Sequence, residues 1–113
     1  MIHLFEQGIK KKKVIICEGA DEEFFKLPLK VSKKFKVIIY LLEKDGYLRE
    51  PEGKKIENSG LFEIRVRIQG QWRGLYAYFH SDIIIILRIF KKKTQKTPKK
   101  EIEIALNRLI NLL

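Results

Sequence analysis

Residues Gly60 to Lys100 read GLFEIRVRIQGQWRGLYAYFHSDIIIILRIFKKKTQKTPKK, and this stretch decides the fold. Three β-type runs follow one another: Leu61–Ile68, Trp72–Phe79 and Ile83–Phe90. Gly70 separates the first pair and His80-Ser81-Asp82 the second. Short β-branched and aromatic runs bounded by turn residues are the pattern of an antiparallel meander. Successive side chains of a strand point to opposite faces. Phe62, Ile64, Val66 and Ile68 therefore share one face of the first run, and Glu63, Arg65 and Arg67 the other. In the second run Arg73, Leu75, Ala77 and Phe79 oppose Trp72, Tyr76 and Tyr78. The aromatic trio fits an RNA-stacking platform, but beneath an amphipathic helix it is simply core, and that reading is preferred. The third run is apolar on both faces, as an interior strand should be.

The meander ends in cations. Arg88, Lys91, Lys92, Lys93, Lys96, Lys99 and Lys100 follow with no acid among them. Like charges on neighbouring strands, about 5 Å apart, repel one another unless Glu63 or a bound phosphate lies between them. The 113-residue chain as a whole carries a formal charge of +10, with a pI near 9.8. That imbalance suits nucleic acid, an anionic surface or an acidic protein.

Upstream, Lys13 to Glu18 (KVIICE) makes a first strand after the lysine run that begins at Lys10. Residues 1–12 are expected to form a flexible basic tail. Gly19 and Asp21 open a short helix that Pro28 ends, with Glu22 and Glu23 at its positive end. A second helix is expected over 29–44, with Val31, Phe35, Ile38 and Leu42 on one stripe and Asp45-Gly46 as its stop. Residues 47–59 read as a loop. Thr97 as cap and Pro98 as first residue begin a final helix, with Ile102, Ala105, Leu106, Leu109, Ile110 and Leu113 on its apolar side.

The apolar share is 45%, enough for one modest core and too much for disorder. Cys17 is alone, so an internal disulfide is excluded and a reducing, cytoplasmic setting is expected. The first residues have charge after apolar residues, the reverse of a signal peptide, and no run is long enough to span a membrane. His3 and His80 make no zinc spacing, and there is no phosphate-cradling glycine loop. No cofactor or metal is expected. What remains is a set of cations, one strand carboxylate and aromatics. Such a set binds nucleic acid, or cleaves RNA by aligning the 2′-hydroxyl and stabilising charge on phosphorus.

The segments GLFEIRV, WRGLYAYF and FKKKTQKTPKKEIEIAL resemble the RelE/HigB superfamily of type II toxins, in its phage-derived HigB-like branch. The likeness extends through LPLKVSKKFKVIIYLLEKDG and covers residues 13 to 113. It implies one α+β domain: a small RelE-like fold with a mainly antiparallel four-stranded sheet, two N-terminal helices and one C-terminal helix. It also implies an endoribonuclease that cleaves mRNA on the ribosome and is neutralised by a helix-turn-helix antitoxin. ParE-type toxins share the fold and poison gyrase, and a degenerate, non-catalytic binding module is the other alternative. By motif, Arg65 and Arg73 would hold the scissile phosphate and Lys92 would assist the leaving oxygen. Glu63 would serve either as base or as salt-bridge partner of Arg65. Lys55, Arg67, Arg88, Lys91, Lys93 and Lys96 would grip flanking phosphates or ribosomal RNA. The chain departs from the branch at Arg88-Ile89, where His-Gly or Asn-Gly is usual, so isoleucine is expected to crowd the cleft. Gly74 and Ala77 replace larger residues and are expected to thin the packing.

Overall fold

A computed structural model describes residues 11–113. His3 and most of the expected basic tail lie outside them. The tail's last residue, Lys12, is tied down: its amide donates to the Glu43 carbonyl at 2.9 Å and its ammonium to the Ser81 carbonyl.

The order of elements is β1 (Lys13–Ile16), α1 (Ala20–Phe25), α2 (Leu29–Asp45), β2 (Gly53–Ile56), β3 (Leu61–Val66), β4 (Gln71–His80), β5 (Ile83–Lys92) and α3 (Lys99–Leu112). They form one five-stranded sheet, β1-β5-β4-β3-β2. β1 runs parallel to β5, and every other pair is antiparallel. The sheet thus has five strands where the sequence suggested four. The additional one, Gly53–Ile56, lies in the segment read as loop. Its GKKI carries no apolar alternation, and it sits at the edge, where lysines discourage further pairing.

Helices cover both faces. Val31, Phe35, Ile38 and Leu42 of α2 are fully buried against Ile64, Val66, Tyr76, Ile84, Ile86 and Ile89. On the other face α3 sets Ala105, with Ile102, Leu106 and Leu109, against Leu61, Leu75, Ala77, Ile85, Leu87 and Phe90. Ile110 and Leu113, expected on that stripe, are exposed. Tyr76 is core under α2, Trp72 is half-buried there, and Tyr78 stands at the margin with its hydroxyl donating to the Gly46 carbonyl at 2.9 Å. The aromatic trio is therefore packing.

The space that Gly74 leaves is not empty. The Phe35 ring fills the space above it, and a methyl added there would meet Phe35 Cε1 at 3.0 Å. Ile89 points into the α2 core and crowds no cleft on the opposite face.

A bulge decides what β5 presents. Leu75 pairs with Arg88 and Tyr76 with Ile86, which leaves Leu87 unpaired between them. Strict alternation would place Arg88, Phe90 and Lys92 beside Ile84 and Ile86 under α2. One extra residue reverses the phase. Phe90 joins the α3 core instead, and Lys92 comes to the face that carries Glu63 and Arg73.

Candidate functional site

The site grows from the β3–β4 pairing. Arg65 and Arg73 are direct cross-strand partners, and Glu63 lies two residues along β3 on the same face. Two guanidinium groups opposite one another repel, so the carboxylate is held between them. Glu63 Oε2 accepts from Arg65 Nε at 2.7 Å. It also lies 3.7 Å from Arg73 Nε, within ion-pair range but too far for a hydrogen bond. Oε1 accepts from the Thr97 hydroxyl at 2.7 Å.

Glu63 and Arg73 are each only 3% exposed. Arg73 donates to its neighbour's carbonyl, Trp72 O, at 2.9 Å and weakly to Gln71 Oε1 at 3.4 Å, and its buried Nε has no hydrogen-bond partner among the described residues. An unpaired buried donor is costly for stability. Burial, together with the charges of Arg65 and Arg67, pulls the Arg73 pKa down while Glu63 opposes the fall. An arginine still stays charged near neutrality.

Two openings meet at Lys92. One is bounded by Gln71, Arg73, Lys93, Thr94 and Gln95. The other, a cleft of about 330 Å³, is bounded by Lys54, Lys55, Glu63, Arg65, Lys96 and Thr97 among others. Lys92 lines both. Burial and then the Arg73 charge hold its ammonium below the usual lysine pKa, with Arg65 and Arg67 adding to the fall and Glu63 resisting it.

The structure therefore brings together Arg65, Arg73, Lys92 and Glu63, with Lys55, Lys93 and Lys96 around them. It separates others. Arg67 is exposed beyond the end of β3, though its charge still reaches Arg73 and Lys92. Lys91 turns to the opposite face, with its ammonium 5.6 Å from the centre of the Trp72 ring. Arg88 is spent elsewhere, because it pairs with Glu23 and, at 2.6 Å, with Glu101. Glu23 also pairs with Arg108 at 2.9 Å, so this cluster joins α1, β5 and α3. Burial pushes the Glu23 carboxyl upward, but the Arg108 hydrogen bond, the Ile89 amide and the Arg88 charge outweigh it and leave its pKa lowered.

Thr97 was missed as a site residue. Its place before Pro98 read as a helix cap, yet Pro98 is the cap position and no side chain caps α3. Lys54 was missed because its strand was. His80 sits seven residues from Arg73 along β4, roughly 23 Å at about 3.3 Å per residue. It does not reach the cleft.

Residues 22–110 match the family described as phage derived protein Gp49-like (DUF891). The chain belongs to that family. Solved structures with the same fold include E. coli toxin RelE in the free state, as an arginine-to-alanine double mutant. It has a TM-score of 0.65 at 15% identity, covering 91% of this chain and 99% of that one. The RelBE toxin-antitoxin complex of E. coli matches at 0.60 and 17% identity, covering 74% and 99%. The RelBE2 toxin-antitoxin complex of Mycobacterium tuberculosis matches at 0.54 and 21%, covering 73% and 99%. Among curated protein sequences none matches significantly. The Gp49-like chain thus has the fold of RelE.

Proposed function

We propose that this Gp49-like protein is the toxin of a type II toxin–antitoxin pair, a metal-independent endoribonuclease that cuts mRNA. The observation that carries this reading is Arg73: a guanidinium at 3% exposure that stands opposite Arg65 and borders an opening it shares with Lys92. Such a donor suits charge that develops on a phosphate in the transition state, since its planar fork can hold two oxygens.

In the reaction, the 2′-hydroxyl loses its proton to solvent and its oxygen attacks the adjacent phosphorus. Arg73 and Arg65 hold the phosphate oxygens while the bond from phosphorus to the 5′-oxygen breaks. The Lys92 ammonium gives its proton to that leaving oxygen and is reprotonated from solvent. The products are a 2′,3′-cyclic phosphate and a 5′-hydroxyl. Lys54, Lys55, Lys93 and Lys96 grip flanking phosphates of the message or of ribosomal RNA. A helix-turn-helix antitoxin is the expected inhibitor, and the cytoplasm the expected compartment.

The test is purified protein on a defined RNA, alone and with ribosomes, with EDTA present. Cleavage that leaves cyclic-phosphate ends, and that stops when the scissile nucleotide is 2′-deoxy, is expected. Loss of cleavage in EDTA, or equal cutting of the deoxy substrate, would count against it. RNA bound but left intact favours a non-catalytic binding module, a reading that the Arg65–Glu63 pairing also accommodates.

A further inference from the structure

We propose that Glu63 and Thr97 form a positioning pair that holds the two arginines in place and does not itself touch the substrate. The inference rests on the nuclease reading for its kinetic consequences, though its geometry stands independently. Both Glu63 oxygens are occupied within the protein, one by the Thr97 hydroxyl and one by Arg65 Nε, each at 2.7 Å. A carboxylate engaged in this way and 3% exposed is poorly placed to take a proton from a ribose.

The Thr97 hydroxyl marks the same division of labour. A threonine at the start of a helix ordinarily caps it, worth about 1 kcal/mol. Here α3 has no side-chain cap, and the hydroxyl reaches 34 residues back in sequence to Glu63. The hydrogen bond turns Oε1 away from the arginines and leaves Oε2 between them. It also ties the basic segment after β5 to the floor of the cleft. Arg73 is then neutralised from 3.7 Å, and its guanidinium stays at the border of the opening that Lys92 also lines.

A consequence reaches Lys92. It faces Arg73 from β4, Glu63 and Arg65 from β3, Arg67 beyond β3, Lys54, Lys55 and Glu57 from the β2 side, and Lys93 and Lys96 in its own segment. Among the groups that shift it, Glu63 alone raises its pKa. Removing that charge should lower the Lys92 midpoint further and leave less ammonium to protonate the leaving oxygen.

The experiment compares wild type with Glu63→Gln, Thr97→Val and Thr97→Ser, all in the full chain. Lys92 is titrated by NMR of ¹³C-labelled lysine and assigned with Lys92→Arg. Glu63→Gln should lower the midpoint and move the alkaline limb of the pH–rate profile the same way. Thr97→Val should lose about tenfold or more in kcat, because arginines misplaced by about 1 Å can cost up to about 10²-fold. KM should change by less than about twofold, as for an interaction realised in the transition state. Thr97→Ser should restore the rate. A Lys92 midpoint that stays or rises in Glu63→Gln, or a Thr97→Val protein as fast as wild type, overturns the pair. Should Glu63→Gln fail to fold, the Val and Ser variants decide the matter, since they keep the ion pairs. A wild type that cuts no RNA overturns the nuclease reading, and the Lys92 midpoint then decides the pair alone.

Discussion

Replacing Arg73 with alanine should separate activity from stability. Arg73 is 3% exposed and stands opposite Arg65 in the sheet. Truncation removes one preorganised donor to the phosphate, typically 10²–10³ in rate, or about 2.7–4 kcal/mol. The fold should lose far less. Glu63 keeps Arg65 and Thr97, each at 2.7 Å, and the repulsion between paired guanidinium groups disappears. The unpaired buried Nε goes as well. A net stability change of about 1 kcal/mol in either direction is expected. Glu63→Ala is the informative contrast, because it strands Arg73 without its carboxylate, which costs about 3–5 kcal/mol for a buried pair. The assay is single-turnover cleavage of an end-labelled RNA at saturating protein, so that weakened binding does not mimic slowed chemistry, with Tm measured in parallel. Arg73→Lys should fall between, having the charge without the fork. Lys99→Ala, at the exposed start of α3, should cut like wild type. Arg73→Ala cutting within a factor of three of wild type would refute the assignment, whatever its Tm.

The ion-pair cluster sets an acid limit. The Glu23 pKa is lowered in the folded chain, so its stabilisation is present above the unfolded value near 4.5 and is lost as pH falls through the folded value. Tm of wild type should therefore drop more steeply than that of Glu23→Gln from pH 5 downward; parallel curves would contradict this. Gly74→Ala should destabilise by about 1–3 kcal/mol through overpacking on Phe35, with Phe35→Leu relieving it in the double mutant. Urea unfolding of the four proteins checks this, and simple additivity of the two changes would be the wrong result. RNA affinity should weaken with salt, each phosphate contact adding about 0.7 to the slope of log affinity against log salt. Substituting Lys96 should reduce that slope, whereas Lys91, turned toward Trp72, should contribute little.

Local order was legible in the chain because it has short-range causes. Alternation from Phe62 to Val66 and the stripe of Val31, Phe35, Ile38 and Leu42 each betray a buried face within a few residues. So do the three meander strands, the stop at Gly46 and the shared face of Glu63 and Arg65. The quoted motifs also pointed to the RelE-like fold. What the sequence alone could not determine depends on contacts between distant residues. Gly53–Ile56 is a strand only because β3 lends it hydrogen bonds, and its own residues carry no pattern. The bulge at Leu87 follows from how β4 and β5 fit together, yet it alone brings Lys92 to the arginines. Arg88 and Lys92 read alike as members of one basic tract. Glu23 and Glu101, brought in by two helices, claim the first and leave the second at the cleft. Thr97 looked like a cap because capping is local, and only the folded chain offers its hydroxyl the stronger acceptor, a buried carboxylate.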